Sequence, residues 1–182
     1  MTAYVALVRG LGGAMKRIIP MKDLARIVGN AGGRDVKTYI ASGNVVFRAG
    51  PLDTEKFGTK ITAGIARARG FAPWVLVLTL AQLQKAIAAN PYPQADAAPA
   101  SLHLDFLAEK PKKPDFAPLD GALKANERYA LKGKVFYFYA PDGVGKSDAF
   151  RKIEKVVGLG TARNWRTCCT LRDMARDLDA QA

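Results

Sequence analysis

Apolar positions in this chain fall into short runs of two periods, and the order of those runs predicts a fold. Residues 3–9 (AYVALVR) read as a strand, and 20–31 place Leu24, Ile27 and Val28 on one helical face. TYIASGNVVF, within 35–48, is two β-rich runs pinched at a glycine, the pattern of a hairpin. A helix over 53–69 and a strand over 72–79 complete the order β-α-β-β-α-β, the split βαβ or ferredoxin-like plan. The second half repeats it: strand 102–108, a short helix near 115–124, hairpin 127–140, helix 147–158 and a strand near 162–169. Helical sequence at 80–89 joins the halves, Pro91, Pro93 and Pro99 mark an extended linker, and an exposed helix over 170–179 closes the chain.

A shift of 90 residues supports the duplication. It brings Tyr39 onto Tyr129, Gly43 onto Gly133, Val45 onto Val135, Phe47 onto Tyr137, Gly70 onto Gly160 and Ala72 onto Ala162. The expected protein is α+β, a tandem duplication of two ferredoxin-like βαββαβ units with antiparallel sheets plus linker and C-terminal helices. The first unit spans 1–80, a connecting helix and Pro-rich linker 81–100, and the second unit with its C-terminal helix 101–182. Short right-handed crossovers put Arg9-Gly10, Ser42-Gly43-Asn44 and Gly70 to Pro73 at one sheet edge. The same plan points Gly143 to Ser147 away from Arg163-Asn164-Trp165.

Composition narrows the function classes. With 182 residues and 49% hydrophobic content the chain can bury a core, and no run approaches the roughly 20 apolar residues of a bilayer crossing, so disorder and membrane spanning are both set aside and no membrane partner is expected. The net charge of +12 favours polyanionic partners. Residues 1–90 hold 13 Lys and Arg against 4 Asp and Glu, or +9, and 91–182 hold 15 against 12, or +3, which directs any polyanion to the first unit. The vicinal Cys168-Cys169 is neither a disulfide framework nor a zinc spacing, and Met1-Thr2-Ala3-Tyr4 starts no signal peptide, so a cytoplasmic location is expected.

Four motifs carry candidate chemistry. Ala140 to Ser147 (APDGVGKS) follows a strand and ends as a phosphate loop does, with Gly143, Gly145, Lys146 and Ser147 as the candidate positions, although Ala140 replaces the opening glycine. The alternative is a turn at Asp142-Gly143 with Ser147 capping the next helix. Arg9-Gly10-Leu11-Gly12-Gly13 fails the dinucleotide fingerprint, yet could hold an anion against Arg9, Gly10, Lys16, Arg17, Ser42, Gly43 and Asn44. Lys132 to Tyr139 partly matches an RNA-recognition strand, with His103 at the partner position; alternatively Phe136 and Phe138 are core while Tyr137 and Tyr139 cover a sheet interface. The lone His103 has no nucleophile beside it, no cluster has metal spacing, and no cofactor is implied. Cys168 and Cys169 alternate across the last predicted strand, one in and one out.

YVALVRG at the start, Pro20-Met21 opening the first helix, TYIASGNVVF, PDGVGKS and TARNWRT in this order resemble the bacterial Domain of Unknown Function 1697 family. The resemblance implies two ferredoxin-like repeats and no assigned activity. The family pattern falls on Arg9, Gly10, Ser42, Gly43, Asn44, Gly143, Gly145, Ser147, Arg163, Asn164, Trp165 and Thr167, while RGLGGAM stands where the family usually reads RGINVGG. The expectation is a binding module for nucleic acid or a small anionic ligand, such as a phosphorylated metabolite, at the first unit. Arg9 is expected as charge clamp, and Ser42 and Asn44 as hydrogen-bonding turn groups. The catalytic residues are unassigned. The alternatives are a nucleotide or phosphoryl-transfer enzyme at the GVGKS loop and a structural homo-oligomer.

Overall fold

The computed structural model describes residues 1–11 and 17–181. Among these described residues, eight strands and six α-helices follow one another as β1 (Thr2–Val8), α1 (Met21–Ala31), β2 (Arg34–Tyr39), β3 (Asn44–Ala49), α2 (Thr54–Arg69), β4 (Val75–Thr79), α3 (Leu80–Ala88), β5 (Leu102–Leu107), α4 (Ala117–Asp120), β6 (Arg128–Lys132), β7 (Val135–Tyr139), α5 (Ile153–Val157), β8 (Gly160–Asn164) and α6 (Trp165–Ala180). They form two four-stranded antiparallel sheets, ordered β2-β3-β1-β4 and β6-β7-β5-β8, each a ferredoxin-like unit. One compact unit comprises Met1–Gln84 with Thr170–Ala182, and the other Lys85–Cys169. The closing helix, which the sequence groups with the second unit, thus has most of its length in the first.

In the first unit the alternation of β1 sends Tyr4, Ala6 and Val8 to a core shared with Val45 and Phe47 of β3, Leu24, Ile27 and Val28 of α1, and Phe57, Ile61 and Ile65 of α2. Asp53 starts α2 by accepting from the amides of Glu55 and Lys56, both at 3.1 Å. The opposite sheet face is also apolar and closed: Val5, Leu7 and Val46 are all buried. The second unit packs Phe136 and Phe138 of β7 with Leu119, Ile153 and Val157. Its other face buries Leu102, Leu104 and Tyr137, the Tyr137 hydroxyl donating to the Ala86 carbonyl at 2.7 Å. The open stacking face that an RNA-recognition sheet needs is therefore filled, and Phe136 and Phe138 are core.

The duplication is right, but its register differs from the shift of 90. Leu7 pairs with Asn44 and Val8 with Val75 in one sheet, as Phe106 pairs with Val135 and Leu107 with Gly160 in the other. Asn44 therefore corresponds to Val135, and the core residues Val45 and Phe47 to Phe136 and Phe138. A one-residue slip sends side chains to the opposite face, so the identities at the shift of 90 are not structural equivalents.

The chain's last third departs most from expectation. The strand expected over 162–169 stops at Asn164, and a helix follows at once, so Cys168 and Cys169 are helical neighbours. Asn164 caps it, its side-chain oxygen accepting the Thr167 amide at 2.8 Å. Nor is that helix exposed: Leu171, Ala175 and Leu178, at helical spacing, are all buried. The proline segment is not extended either, since Pro93–Asp96 and Pro99–Ser101 are short 3₁₀ turns with proline at their starts.

Candidate functional site

The first unit gathers its predicted residues at one sheet edge. The Val8 amide donates to the Gly43 carbonyl at 2.8 Å, and the Arg9 amide to the Trp74 carbonyl at 2.9 Å. These two bonds tie the end of β1 to the tip of the β2–β3 hairpin and to the loop before β4, as the sequence reading requires for Arg9-Gly10, Ser42 to Asn44 and Gly70 to Pro73. Gly43 is indispensable there: its φ is +77°, and an added Cβ would stand 2.8 Å from Val8 Cβ and 3.0 Å from the Val8 carbonyl oxygen. Asn44 is fully buried, donating its amide to the Tyr39 carbonyl at 3.2 Å and to Ser42 Oγ at 2.9 Å. The bond from Asn44 fixes the Ser42 hydroxyl within the turn. The Arg17 guanidinium lies over the Phe71 ring at 5.9 Å from its centroid, which brings a second cation to the loop before β4. Gly10 is exposed on the same turn as Arg9, and Lys16, also expected here, lies outside the described residues.

The second unit makes the same backbone bonds with other side chains. Leu107 donates its amide to the Lys134 carbonyl at 2.8 Å, and Ala108 to the Leu159 carbonyl at 2.9 Å. Ala108 thus occupies the place of Arg9, and Val135 that of Asn44. At this tip Lys134 donates its ammonium to the Ala108 carbonyl at 3.0 Å, and Lys132, just before the turn, donates to the Ala89 carbonyl at 2.7 Å.

The GVGKS segment is built as a closed turn. Gly143, Lys146 and Ser147 direct their amides to the carbonyls of Ala140, Gly143 and Val144, at 2.9, 3.5 and 3.1 Å. Val144–Lys146 is a single 3₁₀ turn, and the Gly145 carbonyl accepts from Arg151 at 3.4 Å. Ser147 is buried, and its Oγ accepts the Phe150 amide at 3.0 Å, so it caps the following turn. The strand before it, β7, is central in an antiparallel sheet. Amides committed to one another do not converge on a phosphate, and the geometry is that of the capping alternative.

That loop and the Arg163-Asn164-Trp165 segment share an edge, contrary to the expectation that they face apart. Leu102 pairs with Tyr139 and His103 with Asn164, so β7 and β8 both end beside the start of β5. Arg163 and Asn164 end β8, whereas facing apart would need them at its beginning. Each residue of this segment has an internal partner: Trp165 Nε1 donates to Asp96 at 2.9 Å, Arg163 to Thr161 Oγ1 at 2.9 Å and to the Ala162 carbonyl at 2.8 Å, and Thr167 is buried on the first turn of α6. Burial holds the Arg163 pKa down to about 10 and pushes the Cys168 thiol up to about 12, which leaves Cys168 an unreactive core group. His103 packs edge-on against Phe150 at 5.6 Å, and burial holds its pKa down to about 4. Its Nδ1 is buried with no hydrogen-bond partner. Among the described residues no group of three His, Cys, Asp or Glu stands together as a metal site, and no helix is long and apolar enough to cross a membrane.

The chain belongs to the family described as protein of unknown function (DUF1697), which matches residues 1–137. The match contains the first unit's edge and stops before the GVGKS loop and TARNWRT. No curated protein matches. Among solved structures the chain is similar to a conserved bacterial protein of Streptococcus pneumoniae, 22% identical over 97% of this chain and 99% of that one, with a TM-score of 0.72. That likeness extends the shared fold through the second unit.

Proposed function

We propose that this protein binds a small anionic ligand, a phosphorylated or carboxylated metabolite, at the first unit's sheet edge. The observation that carries the reading is the contrast between equivalent edges: the backbone bonds recur in both units, whereas Arg9, Ser42 and Asn44 occur in one. Arg9 and Arg17 supply charge, and the buried Asn44 amide holds the Ser42 turn in place beside them. A small ligand fits better than a long polyanion because the charge is not segregated between the units. Counted by structural unit, the first holds 14 Lys and Arg against 7 Asp and Glu, or +7, and the second 14 against 9, or +5.

The test is a calorimetric titration with inorganic pyrophosphate. Arg9→Ala is expected to weaken binding by roughly ten- to hundredfold, the size of a lost charge-assisted hydrogen bond. Lys146→Ala is expected to leave it unchanged. Undiminished binding in Arg9→Ala, or loss in Lys146→Ala alone, contradicts the reading.

A further inference from the structure

The helix layers of the two units differ more than their sheets. In the first unit α1 and α2 have 11 and 16 residues and pack so closely that a Cβ added at Gly64 would stand 2.6 Å from the Ile27 side chain. Their counterparts α4 and α5 have 4 and 5 residues. These reach the core through Leu119, Ile153 and Val157 but leave a cavity of about 410 Å³, lined by Asp115, Pro118, Lys152, Lys155 and Val156. That volume lies within the range of small-molecule sites. Both signs of charge line the cavity without meeting. Lys152 and Lys155, three residues apart, share one side of α5 and the turn before it, with Val156 beside them. Asp115 lines it from the segment before α4, where one carboxylate oxygen accepts the Ala117 amide at 3.0 Å and steadies the side chain. Among the described residues no ion pair joins Asp115 to either lysine.

We propose that this cavity binds a free apolar α-amino acid as its zwitterion. The carboxylate lies between Lys152 and Lys155, the ammonium on the second oxygen of Asp115, and the side chain on Pro118 and Val156. Opposite charges held apart across an open cavity complement a ligand that carries both, and they fix its direction. The apolar lining adds free energy in proportion to the side chain it covers. A phosphate monoester would meet the Asp115 carboxylate unfavourably, and the carboxy terminus of a peptide lacks the ammonium that Asp115 would take. The site is separate from the anion site at the first unit's edge, and neither depends on the other.

Amide NMR titrations of the full chain with leucine, glycine, leucinamide and N-acetylleucine test the proposal. Leucine is expected to move the signals of Asp115, Lys152, Lys155 and Val156 and to bind roughly tenfold more tightly than glycine. Leucinamide, without the carboxylate, and N-acetylleucine, without the ammonium, should each bind at least about fivefold more weakly than leucine. Asp115→Asn keeps an acceptor for the Ala117 amide, so the fold is retained while leucine affinity falls by a similar factor and N-acetylleucine affinity does not. Lys152→Gln combined with Lys155→Gln, both at exposed positions, should weaken leucine and N-acetylleucine alike. No movement of these signals at about 10 mM leucine, N-acetylleucine binding as tightly as leucine, or unchanged leucine affinity in Asp115→Asn overturns the assignment. Pyrophosphate moving the same signals also overturns it, since the cavity would then be a plain anion site.

Discussion

The two sheet edges are built from one backbone scheme and furnished differently. At one, the amides of Val8 and Arg9 reach the hairpin tip and the loop before β4; at the other, Leu107 and Ala108 do the same. The first tip is a four-residue turn, Ile40 to Gly43, and the second a two-residue turn, Gly133 and Lys134. Duplicated folds conserve the hydrogen bonds that close the sheet, and side chains are free to diverge where those bonds do not depend on them. What the second edge lacks is therefore a guide to what the first edge has beyond folding. A buried asparagine stands at a position where valine serves, and an arginine where alanine serves.

The largest expected effect separates the two tips by packing. Gly43→Ala should cost about 3 kcal/mol or more, since Cβ meets Val8 in a left-handed backbone. Gly133→Ala, also at positive φ but with nothing within 4 Å of the new Cβ, should cost about 1 kcal/mol. Urea unfolding of the two variants measures the difference, and equal costs would remove the claim that the first tip is pressed against β1.

Acid separates the units next. His103 is the only histidine and lies in the second unit, its pKa held down from 6.5 to about 4 by burial. The folded state thus disfavours the proton that the unfolded chain accepts. Stability is full above about pH 6.5 and falls as pH drops toward 4, by a difference on the order of 3 kcal/mol. Hydrogen exchange should show β5 and β7 loosening before β1 and β3 over this range, and His103→Phe should abolish the difference. Loosening of both sheets together in the wild type counts against it.

Smaller effects test the individual exchanges. Asn44→Val installs the second unit's residue and deprives the Tyr39 carbonyl of its buried donor, at a cost of about 1–2 kcal/mol, with weaker pyrophosphate binding. Ala108→Arg should change stability by less than about 0.5 kcal/mol and create no second binding event by calorimetry. A new site there would mean that one arginine suffices and that the Ser42–Asn44 turn contributes nothing.

Much of the fold is legible in the sequence because strands and helices of the first unit follow clean periods and bear ordinary end signals, such as Asp53 before α2. The second unit hides its register: β7 reads VFYFY, apolar at every position because both sheet faces are filled, so alternation does not fix the phase. The start of α6 was concealed by Thr167, Cys168 and Cys169, which suit a strand, although Asn164 as a cap and the spacing of Cys168, Leu171, Ala175 and Leu178 point to a helix. At the candidate site, topology and turn glycines were enough to bring Arg9, Ser42 and Asn44 together. The left-handed backbone of Ile40, at φ +46°, and its exposure are not readable, because an isoleucine beside a strand reads as core.

The central claim is that one edge of the duplicated fold is a ligand site and its counterpart is not. Amide NMR shifts on titration with pyrophosphate locate binding directly. Changes are predicted at Val8, Arg9, Ser42 to Asn44 and Phe71 to Trp74, with Leu107, Ala108, Lys134 and Leu159 unmoved. Equal shifts at both edges, or shifts confined to Gly143 to Ser147, would contradict it.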